Sequence, residues 1–124
     1  MKRLFLSLAL AVGLLAGCAG GPIGQTPAQA VFAAKGTYNT ALSAAVAYKR
    51  LPACSAVVKQ PCSDKAVLAQ LQKADNVAAA ALDSAESAVR TPGFGKDAAQ
   101  SAITAANAAV QALASITATL GVKP

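Results

Sequence analysis

Two stretches of this chain repeat their apolar residues at strict intervals of four and three. The first runs Val67, Leu71, Ala74, Ala78, Ala81, Ala85, Ala88, and the second Ala99, Ile103, Ala106, Val110, Leu113, Thr117, Leu120. A strand would alternate with a period of two. A step averaging three and a half residues instead keeps one stripe of a helix turned toward a partner, as in a heptad seam. Leu68, Leu82 and Val89 flank the first seam, but alanine fills most of it. Alanine is the best helix former and buries little area. A fold built on it rests on helix propensity and close backbone approach, and modest stability is expected.

The punctuation between these stretches agrees with helices. Thr91-Pro92-Gly93-Phe94-Gly95 separates the two seams with a proline and two glycines, a turn signal. Ser63-Asp64 supplies a cap and an acid for the start of the first seam. Asp97, with Gln100 three residues on, is expected to open the last helix, and Gly121, before Pro124, to cap its end. An earlier helix is announced by Thr26-Pro27-Ala28-Gln29: threonine as N-cap, proline at the first helical position and glutamine completing a capping box. Its stripe reads Val31, Ala34, Tyr38, Ala41, Ala45, Tyr48, widened by Leu42 and Val46. Gly36 weakens it by about 1 kcal/mol relative to alanine without interrupting the period. The helix should end near Arg50 or Leu51, before Pro52. The sequence thus predicts an all-α fold, an antiparallel three-helix bundle over residues 27–124. At about 1.5 Å per residue it would be roughly 36–40 Å long. The glycine- and proline-rich residues 18–26 read as a short flexible tether. Phe94, in the turn beside that tether, is expected to fold back and cap the core rather than to touch a bilayer.

The start of the chain has another character. Lys2 and Arg3 precede an apolar run from Leu4 to Leu14, broken only by Ser7 and Gly13, and Leu15-Ala16-Gly17-Cys18 follows. A basic segment, a short apolar run and small residues before a cleavage point make a secretory signal. The run stops at Gly20-Gly21-Pro22, short of the roughly 18 or more residues of a spanning helix. Leu15-Ala16-Gly17-Cys18 resembles, at all four positions, the lipobox of bacterial lipoproteins. That resemblance implies a signal peptide of residues 1–17, removed just before Cys18, with diacylglycerol on the Cys18 thiol and an acyl chain such as palmitate on the new amino group. One chain gives only marginal binding, at about 0.8 kcal/mol per buried CH₂, whereas two or three anchor a protein durably. The membrane is therefore the first expected partner. Ala19 stands where an aspartate would resemble an inner-membrane retention signal, so the resemblance implies the outer membrane, facing the periplasm.

With Cys18 given to lipid, Cys54 and Cys62 remain as a pair in an oxidising compartment and are expected to form a disulfide. The chain has no histidine and no further cysteine to complete a metal shell, and the spacing is not the Cys-X-X-Cys of redox-active pairs. The chemistry of an enzyme is equally thin. Glu86 is the one glutamate, and Asp64, Asp75, Asp83 and Asp97 are the aspartates. Asp64 and Asp97 are accounted for by helix capping. Asp83 and Glu86 are the one close acidic pair and read as a solvated helix face, while Ser84 and Ser87 lack a histidine to activate them. No catalytic site, cofactor or metal is expected.

The basic residues stand out by placement. Lys49 and Arg50 end the first helix, Lys59 lies between the cysteines, Lys65 opens the second helix and Lys123 follows the third. An up-down-up bundle gathers all five at one end, opposite Cys18 and far beyond a Debye length of about 8 Å from the lipid. They offer a candidate surface for an anionic envelope partner such as peptidoglycan, or for another envelope protein. The plainer account is that Lys49 and Arg50 complement a helix C-terminus and Lys59 solubilises a loop. Nucleic acid is not an expected partner, because no aromatic residues interleave with the cations. The whole layout resembles the small alanine-rich lipoproteins of Gram-negative bacteria and their prophages. The murein-linked lipoprotein of such envelopes ends in lysine, whereas here Pro124 follows Lys123. The resemblance implies a non-enzymatic cell-envelope lipoprotein with a structural or interaction role. Its alternative is a phage-type lipoprotein acting in host lysis or superinfection exclusion.

Overall fold

A computed structural model describes residues 25–55, 57 and 61–120. The expected signal peptide, Cys18 and most of the expected tether, together with Lys59, Gly121 and Lys123, lie outside the described residues. Three helices follow one another: α1 (Pro27–Lys49), α2 (Lys65–Arg90) and α3 (Lys96–Ala118). Each packs against the other two, most extensively α2 with α3 and least α1 with α2. The result is an antiparallel three-helix bundle.

The helix ends follow local chemistry. The Thr26 hydroxyl accepts a hydrogen bond from the Gln29 N–H at 3.3 Å, and the Gln29 Oε1 accepts from the Thr26 N–H at 2.8 Å, a complete capping box with Pro27 behind it. Arg50 is the C-cap of α1, its N–H donating to Val46 and Ala47 carbonyls, and Pro52 bars continuation. Asp64 caps α2, its carboxylate accepting from the N–H groups of Ala66 at 2.7 Å and Val67 at 3.3 Å. The start of α3 differs from expectation. Gly95 is the N-cap, without a side-chain cap bond, and Asp97 lies inside the first turn. There it favours the positive end of the helix dipole without capping it.

The core draws Val31, Ala34, Ala41 and Tyr48 from α1, Leu71, Ala78, Leu82 and Ala85 from α2, and Ile103, Ala106, Val110 and Leu113 from α3. The α3 seam is buried at every expected position from Ala99 to Thr117, and Leu120 packs partly against the core. Thr117 sits in the seam because its hydroxyl donates back to the Ala114 carbonyl at 2.9 Å, so no polar hydrogen is left unpaired. In α2, Leu82 joins the buried set while Val67, Ala74 and Ala81 are only partly covered. In α1 the expected stripe is buried at Val31, Ala34, Ala41 and Tyr48, with Tyr38 and Ala45 partly buried against the core. Ala44 joins the buried set, and Val46, expected to widen the stripe, is exposed. Phe94 also departs from expectation. It does not join the core and keeps 48% of its surface, because the turn is closed by its own N–H donating to the Thr91 carbonyl around Gly93, whose φ of 87° suits glycine.

Candidate interaction surface at the disulfide end

The chain between α1 and α2 is braced by three kinds of bond. Cys54 and Cys62 are joined by a disulfide with their Cα atoms 4.9 Å apart. Beside it, Ala53 and Ser63 form a single parallel bridge. The Ser63 N–H donates to the Pro52 carbonyl at 2.9 Å, and the Cys54 N–H donates to the Ser63 carbonyl at 3.0 Å. The Ser63 hydroxyl, itself buried, donates to the Leu51 carbonyl at 3.0 Å. Tyr48, the last core residue of α1, turns its hydroxyl oxygen to the Asp64 N–H at 2.9 Å. That donor belongs to the N-cap residue, so the end of α1 fixes where α2 begins.

On this brace stand the cations picked out from sequence. Lys49, Arg50 and Lys65 are all exposed, and the topology brings them to one end of the bundle. None of the three takes part in the ion pairs found among the described residues, which join Lys35 and Arg90 to Glu86. Asp64, the neighbouring acid, spends its carboxylate on its own helix. The helix dipole explains Lys49 and Arg50, at the negative end of α1, but not Lys65. That residue sits at the first position of α2, where the dipole disfavours a cation.

The opposite half of the α1–α2 interface holds a polar set that sequence reading missed. Glu86 takes Lys35 from α1 and Arg90 from one turn further along α2. The Lys35 hydrogen bond first, with Arg90 nearby, holds the Glu86 carboxyl below the usual carboxylate range against a smaller opposing effect of burial. Midway along, the Tyr38 hydroxyl donates to Asp75 at 2.6 Å. That bond, then partial burial and the nearby charges of Asp75 and Asp83, push the Tyr38 phenol up from 10.0 to about 12. Glu86 is thus an interhelical junction rather than half of a solvated acidic pair. Lys35 and Glu86 are 51 residues apart in sequence, so no local spacing announces that contact, although Arg90 stands at the i, i+4 spacing from Glu86.

Two shallow grooves complete the surface. One, of about 660 Å³, runs between α1 and α3 past Gly36, Thr40, Ala44, Ala114 and Thr117. The other, of about 350 Å³, lies between α2 and α3 beside Lys73, Val77 and Ile116. Both are open and lined mostly by small or apolar side chains, with Lys73 the one charged residue among them. Among the described residues no three acidic or cysteine side chains gather as metal ligands, and no helix is long and apolar enough to cross a membrane. Comparison with protein-family models, with curated proteins and with solved structures finds no match to this chain.

Proposed function

We propose that this chain is a lipid-anchored, non-enzymatic protein of the bacterial cell envelope. On this reading Cys18 holds it to the outer membrane, and the disulfide-braced basic end is offered to peptidoglycan or to another envelope protein. The observation that supports it is the grouping of three cations at the disulfide end. Lys35 and Arg90 are consumed by Glu86, whereas Lys49, Arg50 and Lys65, exposed beside the brace, take part in no ion pair among the described residues. Cations held apart from the fold's own acids keep their charge available, and their attraction to an anionic polymer falls with salt. Lys59 and Lys123, by their place in the sequence, would add to the same end.

Two measurements test the reading. Cys18→Ser is expected to abolish incorporation of labelled palmitate and to leave a precursor with its signal attached, and equal labelling of the variant overturns the anchor. The triple variant Lys49→Gln, Arg50→Gln, Lys65→Gln should sediment with isolated peptidoglycan several-fold less than the parent, with a shallower salt dependence and unchanged circular dichroism. Equal sedimentation, or none by the parent, reduces the cluster to solubilising charge.

A further inference from the structure

The end of the bundle opposite the disulfide carries two large apolar side chains that neither the core nor the ion pairs employ. Phe32 on α1 keeps 80% of its surface exposed and Phe94 in the α2–α3 turn keeps 48%. A single exposed apolar residue is ordinary. The position these two share is not. Residues three or four apart lie on one flank of a helix. Phe32 is one turn before Lys35, Lys35 meets Glu86, and Arg90 is one turn beyond Glu86 toward the end of α2. The ion pairs therefore set Phe32 and Arg90 on the same flank at the same end. Four residues past Arg90 the turn presents Phe94, and Lys96 then opens α3. Exposed aromatic rings rimmed by long basic side chains are the composition of surfaces that settle into the headgroup layer of a bilayer.

The chain enters the fold at this same end. Thr26 caps α1, and only residues 19–25 lie between it and Cys18. Fully extended, they span at most about 28 Å, so an acylated Cys18 keeps this end close to the lipid. We propose that the Phe32–Phe94 end rests on the membrane that holds Cys18, with both rings in the interfacial layer and Arg90 and Lys96 turned to the headgroups. The proposal rests on the anchor reading and adds an orientation to it: the bundle stands with its disulfide end outward. Glu86 and Asp97 offset most of the local positive charge, so burial of the rings leads and anionic lipid adds little.

The chain has no tryptophan, so Phe32→Trp, Phe94→Trp and, at the far end, Val57→Trp each place a lone reporter at an exposed site. Each full chain is expressed in a Gram-negative host, and the processed protein is reconstituted into phosphatidylcholine vesicles bearing brominated acyl chains, with and without phosphatidylglycerol. Emission of the first two reporters should shift to the blue and be quenched several-fold in both vesicle types, while that of the third should be unaffected. Hydrogen exchange on the unsubstituted protein reads the same contact without a variant: protection of residues 91–95 should rise on vesicles and that of residues 53–55 should not. Quenching absent at Phe32 and Phe94, or equal at all three sites, overturns the proposal. Flotation and the mass at Cys18 report the anchor separately. Floating, acylated protein with unquenched rings overturns the docking alone, whereas a chain without acyl groups overturns the anchor and the docking with it.

Discussion

The two interfaces that α2 makes are built by different means. Against α3 it sets alanines into apolar gaps: Ala78 and Ala85 are wholly covered, facing Ala106, Val110 and Leu113, which are covered to within 1%. Against α1 it relies on directed contacts at separate heights: Glu86 with Lys35, Asp75 with Tyr38, the Asp64 N–H with Tyr48, and the disulfide beyond. Small side chains let two helices approach closely, but each alanine removes little apolar surface from water. A third helix added to such a pair gains few further kilocalories from burial. Its position along and around the pair is then set by bonds that have direction. An alanine-rich bundle can thus specify one arrangement without a large core, provided one interface is polar.

The contrast can be broken most forcefully on its apolar side. Leu113 is fully buried, and Leu113→Ala should cost about 3 kcal/mol through lost transfer energy and a residual cavity. Urea unfolding should show the midpoint falling with little change in slope. A loss below about 1 kcal/mol would mean that the seam collapses around the gap and is not tightly packed. Next in size is the brace on the polar side. Replacing Cys54 and Cys62 together by alanine frees a loop of about nine residues and should cost about 2.5 kcal/mol if loop entropy governs. The parent in reductant should show the same deficit, and a parent insensitive to reductant would leave the polar contacts as the dominant clamp.

The smallest effect is the most diagnostic. Tyr38→Phe removes one hydrogen bond at a half-buried site and should cost about 1 kcal/mol. It also carries a pH signature. The folded phenol titrates at about 12 and the unfolded one near 10.0, so the contribution is complete below about pH 10. Above that the unfolded state binds fewer protons than the folded one, and the contribution falls as pH rises toward 12. The chain has two tyrosines, so tyrosinate absorbance should show a late step that disappears in Tyr38→Phe and moves down in Asp75→Asn. A titration in which neither step is delayed would dissolve the Tyr38–Asp75 contact.

The sequence was legible where apolar and polar residues contrast. In α3, Ile103, Val110 and Leu113 stand among small or polar neighbours, so their spacing could be read in one register alone, and the seam is buried as expected. In α1, Ala44, Ala45 and Ala47 offer no contrast, and Ala44 is buried beside the expected stripe while Ala45 is only partly covered. At the start of α3, Asp97 has the chemistry of a cap, but Gly95, two residues earlier, occupies the position. Phe94, expected to cap the core, stays 48% exposed because turn geometry decides its direction. Of the candidate surface, the disulfide partners and the clustering of Lys49, Arg50 and Lys65 followed from cysteine count and topology. The Glu86 junction did not, since a contact between residues 51 apart exists only once the helices are packed.

The parallel bridge between Ala53 and Ser63 bears on the protein's fate among proteases. The backbone enters and leaves the cystine ring side by side, at a junction that sulfur closes between Cys54 and Cys62. Val57, between the two cysteines, is 89% exposed, and Lys59 is by sequence a residue after which trypsin-like enzymes cut. A single cut there would sever the polypeptide and yet release nothing: α1 would stay linked to α2 through Cys54 and Cys62. The nicked molecule would separate into two fragments only on reduction, and a lipid on Cys18 would still carry the whole bundle.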